Sequence, residues 1–365
     1  MRIILAPDKF KGTLSAMEVC EAMESGLLQH NKKFVIKKIP LADGGEGSLD
    51  IIQPYLALQS QSIPVKDPLG RPIMATYMYS NDAAYIEMSA ASGISLLKDE
   101  ERNCLLTSTY GTGQLVSDAF DRGLKRIFLF VGGSATNDGG MGILKALGIK
   151  AFGKNGTLSP VGKSLPDITG FDYSDCLTPG IQFTIVSDVM NPLYGPTGAA
   201  YVYAPQKGAS KETVKLLDEG LRNMARVVWE SRKVKIDEFE GAGAAGGIAA
   251  GLKAFFPVMI KSGVKFISEI VKLQSEISAA DLVITGEGKF DLQTLQGKVV
   301  KGVYDICLNN NKRLAVVCGL LDPEVKLEGL NIWKIVSLVQ PGITIEHAMG
   351  NAHNLVRQRT FELLS

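Results

Sequence analysis

The stretch VGGSATNDGGMG, residues 131–142, sets five glycines around Ser134, Thr136, Asn137 and Asp138. Four further loops have the same character: PDKFKG (7–12), ADGGEG (42–47), SDVMNP (187–192) and TGEGKFD (285–291). They carry Asp8, Asp43, Asp188, Glu287 and Asp291. Glycines let backbone N–H groups approach an anion, and a helix that starts behind them adds a favourable dipole. Lys9 and Lys11 add point charges suited to phosphate or carboxylate. Aspartates can hold Mg2+, directly or through water, and can accept a hydroxyl proton. The three histidines (His30, His347, His353) lie near expected helix ends, and the five cysteines form no CxxC pair. This inventory fits phosphoryl transfer better than hydride or acyl transfer.

Such loops need rigid elements behind them. Ile3–Ala6 reads as a short buried strand. The segment after it, SAMEVCEAMESGLLQH, reads as a helix, with Ser15 and Glu18 at capping-box spacing and Met17, Cys20, Met23 and Leu27 on one face. Phe34–Ile39 is a second strand, followed by a helix from Ser48 to about Leu58. Residues 127–131 form an apolar run that breaks into a helix from Met141. Near the end, 282–284, 314–319 and 334–340 are strand-like, with helices over about 297–308 and 344–364. This alternation predicts a parallel sheet, and in such a sheet ligands gather at the strands' carboxyl ends, where all five loops fall. The middle is less regular. IPVKDPLGRPIMATYMYSNDAAYIEM reads as two or three strands with an antiparallel option. FTIVSDVMNPLYGPTGAAYVYAPQKGAS carries two strand-like runs, and a long helix covers about 211–231. The expected fold is α/β: a Rossmann-like or flavodoxin-like sheet domain from 1–62 plus 282–365, with a mixed α/β domain, 63–281, inserted into it and the site in the cleft between.

Composition sets the bounds. At 365 residues the chain is long enough for two domains. A net charge of +1 gives no reason to expect nucleic acid or a membrane surface. Its 39 glycines exceed the roughly 26 expected at about 7% usage. Scattered cysteines, no apolar run of membrane-spanning length and strand-like sequence from Arg2, leaving no room for a signal peptide, predict a cytoplasmic protein.

Two signatures need weighing. No GxxxxGK[ST] sequence is present. GAGAAG (241–246) matches GxGxxG, but VKIDEFE before it is a poor buried strand and no ribose-binding acid follows on schedule. A Gly/Ala helix start packed tightly on a neighbour or a ligand reads better. YGTGQL (110–115) reads as a helix N-cap turn, with Thr112 the residue that could touch phosphate.

Longer motifs then occur in order: APDKFKGTLSA, PLADGGEGS, DPLGRP, ASGI, TSTYGTGQL, GGSATNDGGMGILKALG, SDVMNPLYGPTGAAYVYAPQKGA, GAGAAGGIAAGL and ADLVITGEGKFDLQT. Together they resemble the bacterial glycerate kinase family of glycerate and glucarate catabolism, over nearly the whole chain. Lys9 stands where that family usually has Ser, GEGKFD where it has GEGRID, and Val300 where it has Pro. The resemblance implies ATP-dependent, Mg2+-assisted phosphorylation of D-glycerate on a two-domain α/β fold, with 2-phosphoglycerate the favoured product. The candidate residues then sort by role. Asp188, Lys11 and Asp43 are the catalytic candidates. Gly132, Gly133, Ser134, Gly139, Gly286 and Glu287 would hold phosphate. Arg71, Lys207, Asn137 and Glu46 would bind substrate, Arg71 alternatively bracing its turn through Asp67. Asp138, Asp188 and Asp291 would serve the metal. The expected partner is the small acid alone, with neither nucleic acid nor membrane, in a monomer or homodimer. Two other readings stay open: an NAD-dependent hydroxy-acid oxidoreductase, resting on 241–246, and a non-catalytic nucleotide-binding sensor.

Overall fold

Ile3, Ile4 and Leu5 are fully buried because their strand, Arg2–Leu5, lies inside a five-stranded sheet. The computed structural model describes residues 1–176, 180–292, 294 and 298–364. The sheet order is Lys334–Ser337, Arg313–Leu321, Leu282–Phe290, Arg2–Leu5, Val35–Lys38, and every pair is parallel. Parallel strands covered on both faces need continuous apolar runs, which Val283-Ile284 and Leu314-Ala315-Val316-Val317 supply. Helix Ala16–His30 starts at the expected capping box, with Glu18 N–H donating to Ser15 Oγ and Ser15 N–H to the Glu18 carboxylate. It buries Val19, Cys20, Met23 and Leu27, while Met17 is 44% exposed, contrary to expectation. Six positions from Met23 is about 120° around a helix, off the buried stripe.

A second, six-stranded sheet runs Val258–Lys261, Gln182–Val186, Arg126–Phe130, Ala83–Glu87, Pro72–Tyr79, Gln59–Lys66. Its first four strands are parallel; the last two pair antiparallel, which is the antiparallel option in the middle segment. A small antiparallel sheet of Gly156–Thr157, Lys150–Gly153 and Gly170–Asp172 was not foreseen. The chain divides into two compact units: Met1–Asp43, Asp50–Tyr55 and Gly263–Ser365 in the first, Gly44–Leu49 and Leu56–Ser262 in the second. The expected boundaries lay at 62/63 and 281/282.

Several elements differ from expectation. The strand at 282 continues to Phe290, so Thr285, Gly286 and Glu287 are strand residues rather than loop. AAYVY (199–203) is helical: Ala200 and Ala204, four apart, are buried while Tyr201 and Val202 are exposed. A run of five apolar residues does not distinguish the two periods. The closing helix is two, Ile345–Gly350 and Ala352–Glu362, broken at Asn351. The described helix after Phe290 starts at Val299; Gly297 lies outside the described residues.

Candidate active site

In the first unit, three strand ends feed one cavity of about 460 Å³. Asp8 and Lys9 follow Arg2–Leu5, Asp43 lies beyond Val35–Lys38, and Glu287 sits on Leu282–Phe290. The cavity is lined by the carboxylates of Asp8, Asp43, Glu287 and Asp291, by Lys9, Lys11, Lys289 and Lys298, and by apolar Phe10, Leu338, Val339, Ile345 and Met349. The sheet holds Asp8 in place: its N–H donates to Gly286 O at 2.8 Å, and its carboxylate accepts from Lys9 N–H at 2.7 Å. Burial, and then the Asp43 charge, push the Asp8 carboxyl up to about 8. Burial likewise pushes Glu287 up to about 7, against the pull of Thr294 and Lys298. Glu287 Oε1 is buried and has no hydrogen-bond partner among the described residues. Two carboxyl groups that titrate near neutrality suit proton acceptance, or binding of a cation that replaces the proton.

Of the expected residues, Lys11, Asp43, Glu287 and Asp291 therefore share one cavity. Gly286 does not take the expected phosphate role. It is buried in the ladder opposite Val317, and its carbonyl receives the Asp8 amide. Asp291 also closes its own turn, accepting from Thr294 N–H at 3.2 Å. Asp8 and Lys298 were absent from the expected set. Asp8 carried a signal, a carboxylate directly after a buried strand; Lys298 carried none.

In the second unit, strand Arg126–Phe130 breaks through the glycine-rich elbow into helix Met141–Ala146, as the sequence implied. The elbow is clamped on several sides. A Cβ on Gly132 would lie 2.4 Å from Gly45 Cα, so only glycine allows these two loops to meet. Ile94 N–H donates to Gly133 O, and Ala135 N–H to Ser92 O. Asp138 is fully buried, and its carboxylate accepts from Thr109 N–H, Thr109 Oγ1, Gly140 N–H and Gly142 N–H at 2.8–3.1 Å. Four donors fill its oxygens, so the carboxylate braces the elbow where a metal contact was expected. The Gly139 amide is likewise taken, by Gly246 O at 3.0 Å. What the elbow turns outward is exposed Gly133 and half-buried Gly132, with Ser134 at 9% exposure beside them.

Lys207 is 2% exposed and donates to Ser134 Oγ at 2.7 Å and Thr136 O at 2.6 Å. Burial lowers it to about 8. Its ammonium thus lies inside the elbow and is no surface clamp. The Asn137 amide and the Thr136 hydroxyl are buried with no partner among the described residues. Arg71 takes its alternative role: Nε donates to Asp67 Oδ2 at 2.5 Å and Nη1 to Glu101 Oε1 at 2.6 Å, which commits the guanidinium to bracing the turn. Asp188, two residues beyond Gln182–Val186, is half-buried and accepts from Ser262 Oγ at 2.5 Å; Glu46 is exposed. Thr112 is fully buried in helix Tyr110–Asp121, its hydroxyl 2.7 Å from Ser92 Oγ.

GAGAAG opens helix Ala244–Lys253, in which Ala245, Gly246 and Gly247 are left-handed. Among the described residues no strand leads directly into it, since helix Lys211–Arg232 comes before, so the dinucleotide fingerprint lacks its context. This helix packs on the elbow instead: a Cβ on Gly251 would meet Gly139 O at 1.9 Å. Among the described residues, no helix is long and apolar enough to cross a membrane, and no group of three or more His, Cys, Asp or Glu side chains is placed to hold a metal ion.

Comparison with known proteins agrees with this chemistry. The profile of the Glycerate kinase family matches residues 3–365. A glycerate kinase of Halalkalibacterium halodurans is 38% identical, covering 98% of this chain and 95% of its own. The glycerate 2-kinase of Escherichia coli K12 is 38% identical, covering 89% and 87%. A crystal structure from Salmonella typhimurium LT2, whose name assigns it as a glycerate kinase 2, superposes with a TM-score of 0.80 at 36% identity, covering 100% of this chain and 97% of its own. Matched from its third residue to its last, the chain belongs to the glycerate kinase family.

Proposed function

We propose that the enzyme transfers the γ-phosphoryl group of ATP to the 2-hydroxyl of D-glycerate, giving 2-phosphoglycerate and ADP. The observation that carries this reading is the first unit's cavity, where Asp8, Asp43 and Glu287 meet four lysines. Lysines there would bind anionic oxygens, and a carboxylate would receive the hydroxyl proton as the glycerate oxygen bonds to phosphorus and the bond to the ADP oxygen breaks. The elbow's Gly132, Gly133 and Ser134 would hold anionic oxygen as well, and Asn137 would meet the substrate. Asp188 stands on a rigid strand end and is the second unit's candidate for proton acceptor. Mg2+ is held in kinases by one or two carboxylates together with substrate phosphates, rather than by a full protein cage, and neutralises charge on the transferring group. Asp43 and Glu287, with its unpartnered Oε1, are the oxygen donors such an ion takes.

The choice of the 2-hydroxyl is supported by the name of one relative, a glycerate 2-kinase. It has a direct test. Purified enzyme is given ATP, Mg2+ and D-glycerate, and the product is passed to enolase alone. Immediate formation of phosphoenolpyruvate is expected. A product that enolase accepts only after phosphoglycerate mutase is added would place the phosphate on the 3-hydroxyl instead.

A further inference from the structure

A buried lysine is ordinarily costly, so one that makes two short hydrogen bonds inside a ligand-binding turn calls for a reason. Lys207 lies in the turn Pro205–Lys207, and the N–H of Cys104 donates to its carbonyl at 3.2 Å. Its Nζ reaches Ser134 Oγ and Thr136 O from within. An ammonium can only donate. At Ser134 it therefore occupies a lone pair of the oxygen, and the hydroxyl's own proton is left to be given elsewhere. Ser134 borders exposed Gly133, so that proton has the outer face of the elbow available to it.

We propose that Lys207 is a positioning residue for phosphoryl transfer: it orients the Ser134 hydroxyl as a donor to an anionic oxygen of a substrate, phosphate or carboxylate. The proposal rests on the reading of the elbow as an anion holder. Lys207 acts through Ser134 and does not touch the substrate. The charge behind a donor strengthens its hydrogen bond to an anion, so the effect depends on the lysine being protonated.

The titratable groups acting on Lys207 are Cys104, from the adjoining loop, and Asp138, from the elbow. Burial raises the Cys104 thiol above its ordinary value, against the pull of the Lys207 charge. Burial also lowers Lys207 to about 8, so its charge is lost above that pH. Stability moves the other way. A lysine whose folded value is depressed penalises the fold while charged, and the penalty fades as pH rises from about 8 towards 10.5. A decline in activity above pH 8 with no decline in melting temperature would thus belong to the site.

The test compares wild type, Ser134→Ala, Lys207→Met and the double variant in steady-state kinetics, varying ATP and glycerate in turn, across pH. Ser134→Ala should lower kcat/KM about 10- to 100-fold, the range for a hydrogen bond to a charged group. It should also shrink the alkaline decline seen in wild type. The double variant should be no worse than Lys207→Met. A rise in KM for ATP identifies the anion as phosphate; a rise in KM for glycerate identifies it as carboxylate. If Ser134→Ala loses activity but keeps the wild-type pH profile, or the two losses multiply, Lys207 is not a positioning residue. If Ser134→Ala is fully active with both substrates at every pH, the reading of the elbow itself fails. Should Lys207→Met not fold, the Ser134→Ala profile decides alone.

Discussion

Burial favours the protonated form of Asp8 over the carboxylate that the unfolded chain would carry. Its carboxyl is raised from 3.8 to about 8, so the folded chain holds a proton that the unfolded chain has released over that interval. By linkage, its contribution makes the protein less stable as pH rises from about 4 to about 8. Asp8→Asn removes the charge at nearly constant shape. Its melting temperature should exceed that of wild type at pH 8, and the gap should close towards about pH 5, while kcat falls. Equal dependence of the two melting temperatures on pH, followed by calorimetry, would refute this. Legibility at this scale was uneven. Lys11, Asp43 and Glu287 could be singled out because charged residues gathered in glycine-rich loops after strand-like runs have few structural uses, whereas Asp8, in the same kind of loop, was passed over. Arg71 pairs with Asp67 as one of its two readings had it, but the roles of Asp138 and Lys207 depend on partners distant in sequence, Thr109 for the first and Ser134 for the second. A sequence shows that a residue can donate or accept, but not that those capacities are already filled.

At the scale of elements, helix Ala244–Lys253 and the elbow form one packed piece through glycine. The 1.9 Å approach of a Gly251 Cβ to Gly139 O involves backbone, which cannot swing aside as a side chain would. Gly251→Ala would gain up to about 1 kcal/mol of helix propensity, yet overpacking of this kind costs roughly 1–3 kcal/mol or more. The net expectation is a melting temperature several degrees lower, measured by calorimetry, with kcat/KM reduced because Gly139 sits in the elbow. A variant as stable and active as wild type would show that the contact relaxes freely. Strands with buried neighbours on both sides, Arg2–Leu5 and Arg126–Phe130 among them, were legible from apolar runs alone. Leu282–Phe290 was read too short, since its second half, Gly286-Glu287-Gly288-Lys289, has no strand-like composition and is held by pairing with Cys318 and Leu320. Pairing is a tertiary event, and propensity yields to it.

For the whole molecule, the division into units has its own consequence. The second unit is nearly continuous, with every strand of its six-stranded sheet between residues 59 and 261. The first unit is assembled from both ends of the chain: Ile3 pairs with Leu282. A fragment of residues 44–262 should therefore unfold cooperatively in denaturant, and residues 1–55 alone should not; a fragment 44–262 without a cooperative transition would contradict this. During synthesis the same arrangement reverses the usual amino-to-carboxyl order of folding. Strand Arg2–Leu5 leaves the ribosome first but gains its Leu282–Phe290 partner only after some 279 further residues, on the order of 15 to 60 seconds later. Through that interval Ile3-Ile4-Leu5, the fully buried centre of the finished sheet, has Val35–Lys38 to pair with on one side and an open apolar edge on the other, an edge on which a chaperone would be expected to act.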